Sequence, residues 1–302
     1  MSNPITRTMV PASLRKSIRR RKRHAAKEKL RRGMLATDPG KARGPDFLIP
    51  GVQRGGSTAL YMYLTEHPAI EPALFKEIHF FDQRYAEGLL WYRRHFPSTD
   101  DAERVRRQTG LDMMTGESSP YYLFHPLAPG RIAESLPRIR SVIVLRDPVA
   151  RAYSHYHHAV SLGWEKRTFE EAIDLEPERL AGEVERIVAD PGYDGFRYRH
   201  FSYVARGEYV DQLDRWFGLF PREDVLLVKG EDLFADPVAG LNAVFGFLGL
   251  PPHTPDAFPR YNKGTAVPMD PRTRGRLEER FAAANERLFA GYGIDYRSRR
   301  LT

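Results

Sequence analysis

The chain of 302 residues contains no cysteine. Disulfides, zinc–thiolate sites, iron–sulfur clusters and thiol nucleophiles are thereby excluded. Long apolar runs are missing too. No window approaches the roughly eighteen consecutive apolar residues of a membrane-spanning helix. The basic N-terminal stretch has no apolar segment behind it of the kind a secretory signal needs. Lysine is scarce, at 9 of the 47 basic residues. Hydrophobic residues at 41% and charged residues at 28% are the balance of an ordinary globular chain. Disorder throughout, collagen-like repeats and coiled coil do not fit it, and the length gives room for one large domain or two modest ones.

The net charge of +8 is unevenly spread: residues 1–44 carry 14 Lys/Arg against 2 Asp/Glu, a net of +12, and the remaining 258 carry 33 against 37, a net of −4. Arg15 to Arg32 alone holds eleven Lys/Arg. Such a segment cannot bury enough apolar surface to offset its ordering entropy, so residues 1–44 read as a solvated, mostly disordered tail and 45–302 as the folded domain. A helical arm touching a polyanion or an anionic membrane surface is a second reading of the tail. No helix-turn-helix, zinc-finger or aromatic RNA-binding signature accompanies it, so no specific nucleic-acid partner is expected.

Phe47-Leu48-Ile49 is a short apolar run that ends in a glycine-rich turn, and Ser57 to Glu66 has Leu60, Tyr61 and Leu64 at helical spacing. Ser141 to Leu145 is a β-branched strand, and Asp147-Pro148 opens a helix with Asp as N-cap and Pro at the first helical position. A third strand, Val225 to Val228, follows the helix-like Tyr209 to Phe217. Strands alternating with helices predict an α/β fold: one three-layer domain with a mainly parallel sheet flanked by helices.

Gly51-Val52-Gln53-Arg54-Gly55-Gly56-Ser57-Thr58 lies between strand and helix. Backbone N–H groups at a helix N-terminus, freed from side-chain bulk by glycine, bind phosphate-like oxygens. A nucleotide triphosphatase loop would carry Lys where Ser57 stands; here the cation is Arg54, inside the loop. In the run LRDPVARAYSHYHH, Arg146 ends a strand, and Arg151, Ser154, His155 and His158 fall at i, i+3, i+4 and i+7 of the next helix, on one face. Arginine at a strand end plus a hydroxyl one or two turns into a helix can hold a phosphate. His155, His157 and His158 lack the spacing and acidic partner of a metal site, so no metal is expected. Two phosphate cradles about a hundred residues apart suit a nucleotide with phosphates at both ends of its ribose.

FLIPGVQRGGSTALYMYL, Phe47 to Leu64, resembles the 5′-phosphosulfate loop and helix of sulfotransferases that use 3′-phosphoadenosine 5′-phosphosulfate, the heparan sulfate type above all, whose loop carries Lys where Arg54 stands. The resemblance implies that Arg54, Gly55, Gly56, Ser57 and Thr58 hold the 5′-phosphosulfate and that Arg146 and Ser154 hold the 3′-phosphate. Phe75-Lys76-Glu77-Ile78-His79-Phe80-Phe81 resembles that family's K-E-x-H-F-F. In an extended segment Glu77 and His79 would point to one side and Ile78 and Phe80 to the other. A carboxylate among apolar neighbours is expected to have its pKa pushed up, as suits a base near neutral pH. Glu77 is therefore the expected base, with His79 as its support or an alternative base; a plain Lys76–Glu77 ion pair is the competing reading. Gly116-Glu117-Ser118-Ser119-Pro120-Tyr121 is similar to the family's G-E-x-[ST]-P-x-Y segment, near substrate and cofactor. Lys263-Gly264, before a C-terminal helix, is similar to its late cofactor-contacting loop. Gly207-Glu208-Tyr209 and Trp216 also fit and read as core.

The resemblance, covering roughly Asp46 to Tyr296, implies a sulfotransferase moving a sulfuryl group to a hydroxyl, or less readily an amine, of a carbohydrate, glycolipid or small metabolite. Adenosine 3′,5′-bisphosphate would be the product. With no membrane anchor read in the chain and arginine favoured over lysine, a cytoplasmic, bacterial member is expected. The alternatives are a P-loop kinase-like phosphotransferase, which the missing loop Lys disfavours, and a non-enzymatic polyanion or membrane-surface binder acting through the tail.

Overall fold

The computed structural model describes residues 38–259 and 267–297. Most of the basic tail, and the segment with Lys263 and Gly264, lie outside the described residues. At the end of that tail, Lys41 pairs with Asp100 at 2.7 Å and Arg43 with Asp46 at 3.5 Å.

Among the described residues, four parallel strands form one sheet in the order β2-β1-β3-β4. They are β1 Phe47–Leu48, β2 Gly116–Glu117, β3 Arg140–Leu145 and β4 Val225–Lys229. In β3 every residue after Arg140 is buried, as a parallel strand covered on both faces requires. Its side chains alternate between two cores. Ile143 and Leu145 join Leu48, Tyr209, Leu213 and Trp216 on one face; Val142 and Val144 join Phe47, Leu60, Leu64 and Phe245 on the other. Each such buried side chain contributes about 1.5–3 kcal/mol.

The helices that matter for the site are α1 Ser57–Leu64, α2 Ala128–Ser135, α3 Pro148–Leu162, α4 Tyr209–Phe217, α5 Pro237–Leu248 and α6 Pro271–Tyr292. α1 and α5 cover the second face; α2, α4 and Leu288 of α6 cover the first. The α/β three-layer expectation holds, and α4 has the bounds read from the sequence. β2 carries no sequence signal, being two residues without a β-branched side chain. Pairing creates it: a Cβ on Gly116 would sit 2.5 Å from the Phe47 carbonyl oxygen.

β1 and β3 are neighbours, whereas β2, which lies between them in sequence, sits on the outer side of β1. This is a topological switch point, where α/β sheets form a crevice beyond the strands' carboxyl ends. The loop after β1 and the turn after β3 both open there.

Candidate active site

The loop after β1 is fixed by close backbone approaches. Val52 N–H donates to the Val144 carbonyl at 2.8 Å. A Cβ on Gly55 would lie 2.7 Å from that same oxygen. Gly56 has φ 115° and is the N-cap of α1, with no side-chain cap. An L side chain is strained there, and its Cβ would meet Phe234 at 2.7 Å. The first N–H groups of α1 have no partner within the helix, and the helix dipole puts positive charge at that end. Ser57 is buried and Thr58 half-buried in this first turn. The arrangement is an oxyanion cradle.

Arg54 adopts φ 69° and donates from Nε to Ser154 Oγ at 3.0 Å. Arg146 Nη1 donates to the Arg54 carbonyl at 3.1 Å, and Tyr209 Oη donates to the Arg146 carbonyl at 2.7 Å. The two cradles read separately from the sequence are thus one. Burial lowers the Arg54 pKa, and the Arg146 charge lowers it further. Asp147 caps α3 by accepting from Ala150 N–H at 2.6 Å.

The helical face read as Arg151, Ser154, His155 and His158 divides. Arg151 and His155 are completely buried. Arg151 donates to the carbonyls of Tyr203 and Ser202, and burial lowers its pKa. Burial likewise holds the His155 imidazole well below its ordinary range, with Arg206 and Arg151 adding to the effect. Ser154 and His158 remain half-buried. The His158 pKa is lowered by burial and then by the Arg54 charge, while Glu77 acts in the opposite direction.

The base segment is not extended. Ile78 and Phe80 are buried as expected, but His79 has φ 57° and ψ 39° and turns the chain into the one-turn helix Phe80–Gln83. That turn brings in Asp82, three residues on. His79 Nδ1 lies 2.8 Å from Asp82 Oδ2, and Nε2 lies 3.4 Å from Glu77 Oε2. Burial opposes protonation of His79, yet the Asp82 charge and hydrogen bond, with Glu77, raise its pKa to about 10.

The expected upward shift of Glu77 is overturned. Burial does push its pKa up, but the His79 hydrogen bond and the Lys76 charge outweigh that and hold it at about 2. The Glu77 side chain is 41% exposed, so solvent screens these interactions and the side chain is open to a ligand. Lys76 does form an ion pair with it, but His79 ties the same carboxylate to Asp82.

Glu117 explains why the segment turns here. Completely buried, its carboxylate accepts from Ile78 N–H at 3.1 Å, Ser119 Oγ at 2.6 Å, Tyr92 Oη at 2.8 Å and Tyr122 Oη at 2.9 Å. Burial pushes its pKa up against those four donors. Ser119 Oγ also accepts from His79 N–H at 3.2 Å, and Ser118 N–H donates to the Lys76 carbonyl at 2.8 Å.

Behind the loop, fully buried Arg206 bonds Gln53 Oε1 and the Arg199 carbonyl, the latter at 2.8 Å. Its guanidinium lies 4.8 Å from both the Tyr121 and Phe124 ring centroids. Asp82, Arg206 and the clamp by Glu117 were missed from sequence. Asp82 left only its spacing of three from His79, Glu117 only its place in the G-E-x-[ST]-P-x-Y likeness, and Arg206 no signal at all.

A sulfotransferase domain model matches residues 44–263. The chain belongs to the sulfotransferase family. Human heparan sulfate glucosamine 3-O-sulfotransferase 6 is 32% identical over 252 residues, covering 80% of this chain and 63% of that protein. Human heparan sulfate glucosamine 3-O-sulfotransferase 3A1 is also 32% identical, with 80% and 53% covered. The chain thus spans roughly half to two thirds of the length of these relatives. A crystal structure of a sulfotransferase from Alicyclobacillus acidocaldarius aligns with TM-score 0.60 at 31% identity, covering 84% of this chain and 99% of that one. The family's fold and the cradle between β1 and β3 therefore go together in this chain.

Proposed function

We propose that the protein transfers the sulfuryl group of 3′-phosphoadenosine 5′-phosphosulfate to a hydroxyl of a carbohydrate-containing acceptor. The reading is carried by one observation: Arg54 of the loop after β1 donates to Ser154 of α3 and its carbonyl accepts from Arg146 at the end of β3, so the groups suited to two phosphates meet at one place beside the N-terminus of α1. The first turn of α1 and Arg54 suit the 5′-phosphosulfate, and Arg146 with Ser154 suits the 3′-phosphate. The guanidinium of Arg54 donates to a hydroxyl, leaving its charge for an incoming anion.

Glu77 takes the proton of the acceptor hydroxyl as that oxygen bonds to sulfur. The bond from sulfur to the phosphate oxygen breaks, and its electron pair leaves with adenosine 3′,5′-bisphosphate. Arg54 and the α1 N–H groups stabilise the charge that develops there. His79, protonated between two carboxylates, orients Glu77 and does not compete for the proton. Carbohydrate is supported as acceptor by the relatives that act on heparan sulfate. The test is isothermal binding of adenosine 3′,5′-bisphosphate against ATP and AMP, followed by sulfur-label transfer to a saccharide. Tighter binding of ATP would favour a kinase-like phosphotransferase instead.

A further inference from the structure

The short helix Gly230–Ala235 follows β4 directly. Its first residue is wedged between the two halves of the cradle. A Cβ on Gly230 would lie 2.8 Å from the Gly55 carbonyl oxygen and 2.9 Å from that of Leu145. Glu231 Oε1 accepts at 2.9 Å from the N–H of Asp147, the residue after Arg146. Leu233 is buried in the core that α1 and α5 cover. These contacts fix the helix against the loop after β1 and the turn after β3 together.

Phe234, beside Leu233 in the chain, is 46% exposed. The tip of its ring nevertheless rests on the cradle: a Cβ on Gly56 would come within 2.7 Å of Cζ and 2.8 Å of Cε2. A single exposed phenylalanine is ordinary on a protein surface. This one is held against the N-cap glycine of α1. An aromatic face at the edge of a phosphate cradle is what a nucleobase can stack on.

The sheet order gives the donor a direction. The base segment is tied to β2, since Ile78 N–H reaches Glu117 and the Lys76 carbonyl accepts from Ser118 N–H. Phe234 stands at the other end of the order, after β4. With the 5′-phosphosulfate on α1 and its sulfuryl end facing Glu77, the nucleoside is left the β4 side. We propose that Phe234 is the platform on which the donor's adenine stacks. The inference rests on the sulfotransferase reading and adds to it the residue that holds the nucleobase.

The test is titration calorimetry of the full chain with two probes that share both phosphates. One is adenosine 3′,5′-bisphosphate; the other is methyl ribofuranoside 3,5-bisphosphate, in which a methoxy group replaces adenine. The parent should favour the adenine probe. Phe234→Ala should cut that margin roughly 5- to 150-fold, the range for stacking one base on an aromatic side chain, with affinity for the base-free probe nearly unchanged. Phe234→Leu, which keeps an apolar cover over Gly56 without a ring, should behave like the alanine variant, and Phe234→Trp should keep the margin. A parent that binds both probes equally overturns the proposal, as does a loss in Phe234→Ala that is the same for both. In either case the donor reading stands, because the phosphates are still bound. A parent that binds neither probe means that the donor reading has failed and the platform with it.

Discussion

Arg54 and Ser154, one hundred residues apart in sequence, are joined by a hydrogen bond of 3.0 Å from guanidinium to hydroxyl. The bond locks the loop after β1 to the helix after β3, and Arg146 secures it by holding the Arg54 carbonyl. A ligand that reaches either cradle therefore meets a site already assembled.

Arg146→Ala should weaken adenosine 3′,5′-bisphosphate by roughly 1.5–3 kcal/mol, the range for hydrogen bonds to a charged group. AMP, which lacks the 3′-phosphate, should bind variant and parent about equally. Titration calorimetry with both ligands checks this, and an equal loss for the two would assign Arg146 a purely structural role.

Glu77→Gln keeps the side chain's shape and removes its capacity to accept a proton. Turnover should fall by about 10²–10⁴ with donor affinity nearly unchanged. Near-normal turnover in this variant, with turnover abolished in His79→Ala, would make the histidine the base.

The pH dependence should follow the two shifted groups. His79 has its folded pKa raised from 6.5 to about 10. Its stabilisation is complete below the unfolded value and lost as pH rises through the folded one. The melting temperature of the parent should therefore fall between about pH 7 and 10 more steeply than that of His79→Gln. The depressed Glu77 contributes in the opposite sense, above its unfolded pKa and down toward about 2. Removing His79 should raise the Glu77 pKa and move the acid limb of kcat/KM upward. A limb that stays in place would show that His79 does not support the carboxylate.

Gly55→Ala places a Cβ 2.7 Å from the Val144 carbonyl, which is itself fixed by Val52 N–H. Neither is the end of a flexible side chain. Stability should drop by about 1–3 kcal/mol, with donor binding lost alongside, as read by chemical denaturation and calorimetry.

The parts legible in the sequence were those whose geometry is local. A strand, a glycine turn and a helix start are written within Phe47 to Leu64, so Arg54 and the α1 N-terminus could be placed; Asp147-Pro148 did the same for Arg146 and Ser154. Glu77 was found but its titration was read in the wrong direction, because the positive φ of His79 that brings Asp82 into line is not a pattern in the residues. Glu117 acts on Ile78 across thirty-nine residues, and Arg206 on Gln53 across 153. Such distances are set by packing and leave no spacing to read.

Arg206→Lys should also be informative. Lysine keeps the charge but not the planar fork that bonds Gln53 and the Arg199 carbonyl between two aromatic rings. A loss of about 1–3 kcal/mol in stability is expected, and donor affinity should fall with it as Gln53 loosens. Unchanged affinity despite the stability loss would separate Arg206 from the loop.

The sheet order has an evolutionary corollary. The Arg54–Ser154–Arg146 cradle hangs on the ends of β1 and β3, two central strands that cannot shift without disturbing both cores. The stretches Arg84–Glu87 and Pro191–Asp194 lie outside those strands. They can drift or be exchanged for those of a relative while the cradle stays intact. Variation among close homologues should therefore be sparse at the ends of β1 and β3 and concentrate in outlying stretches such as these two.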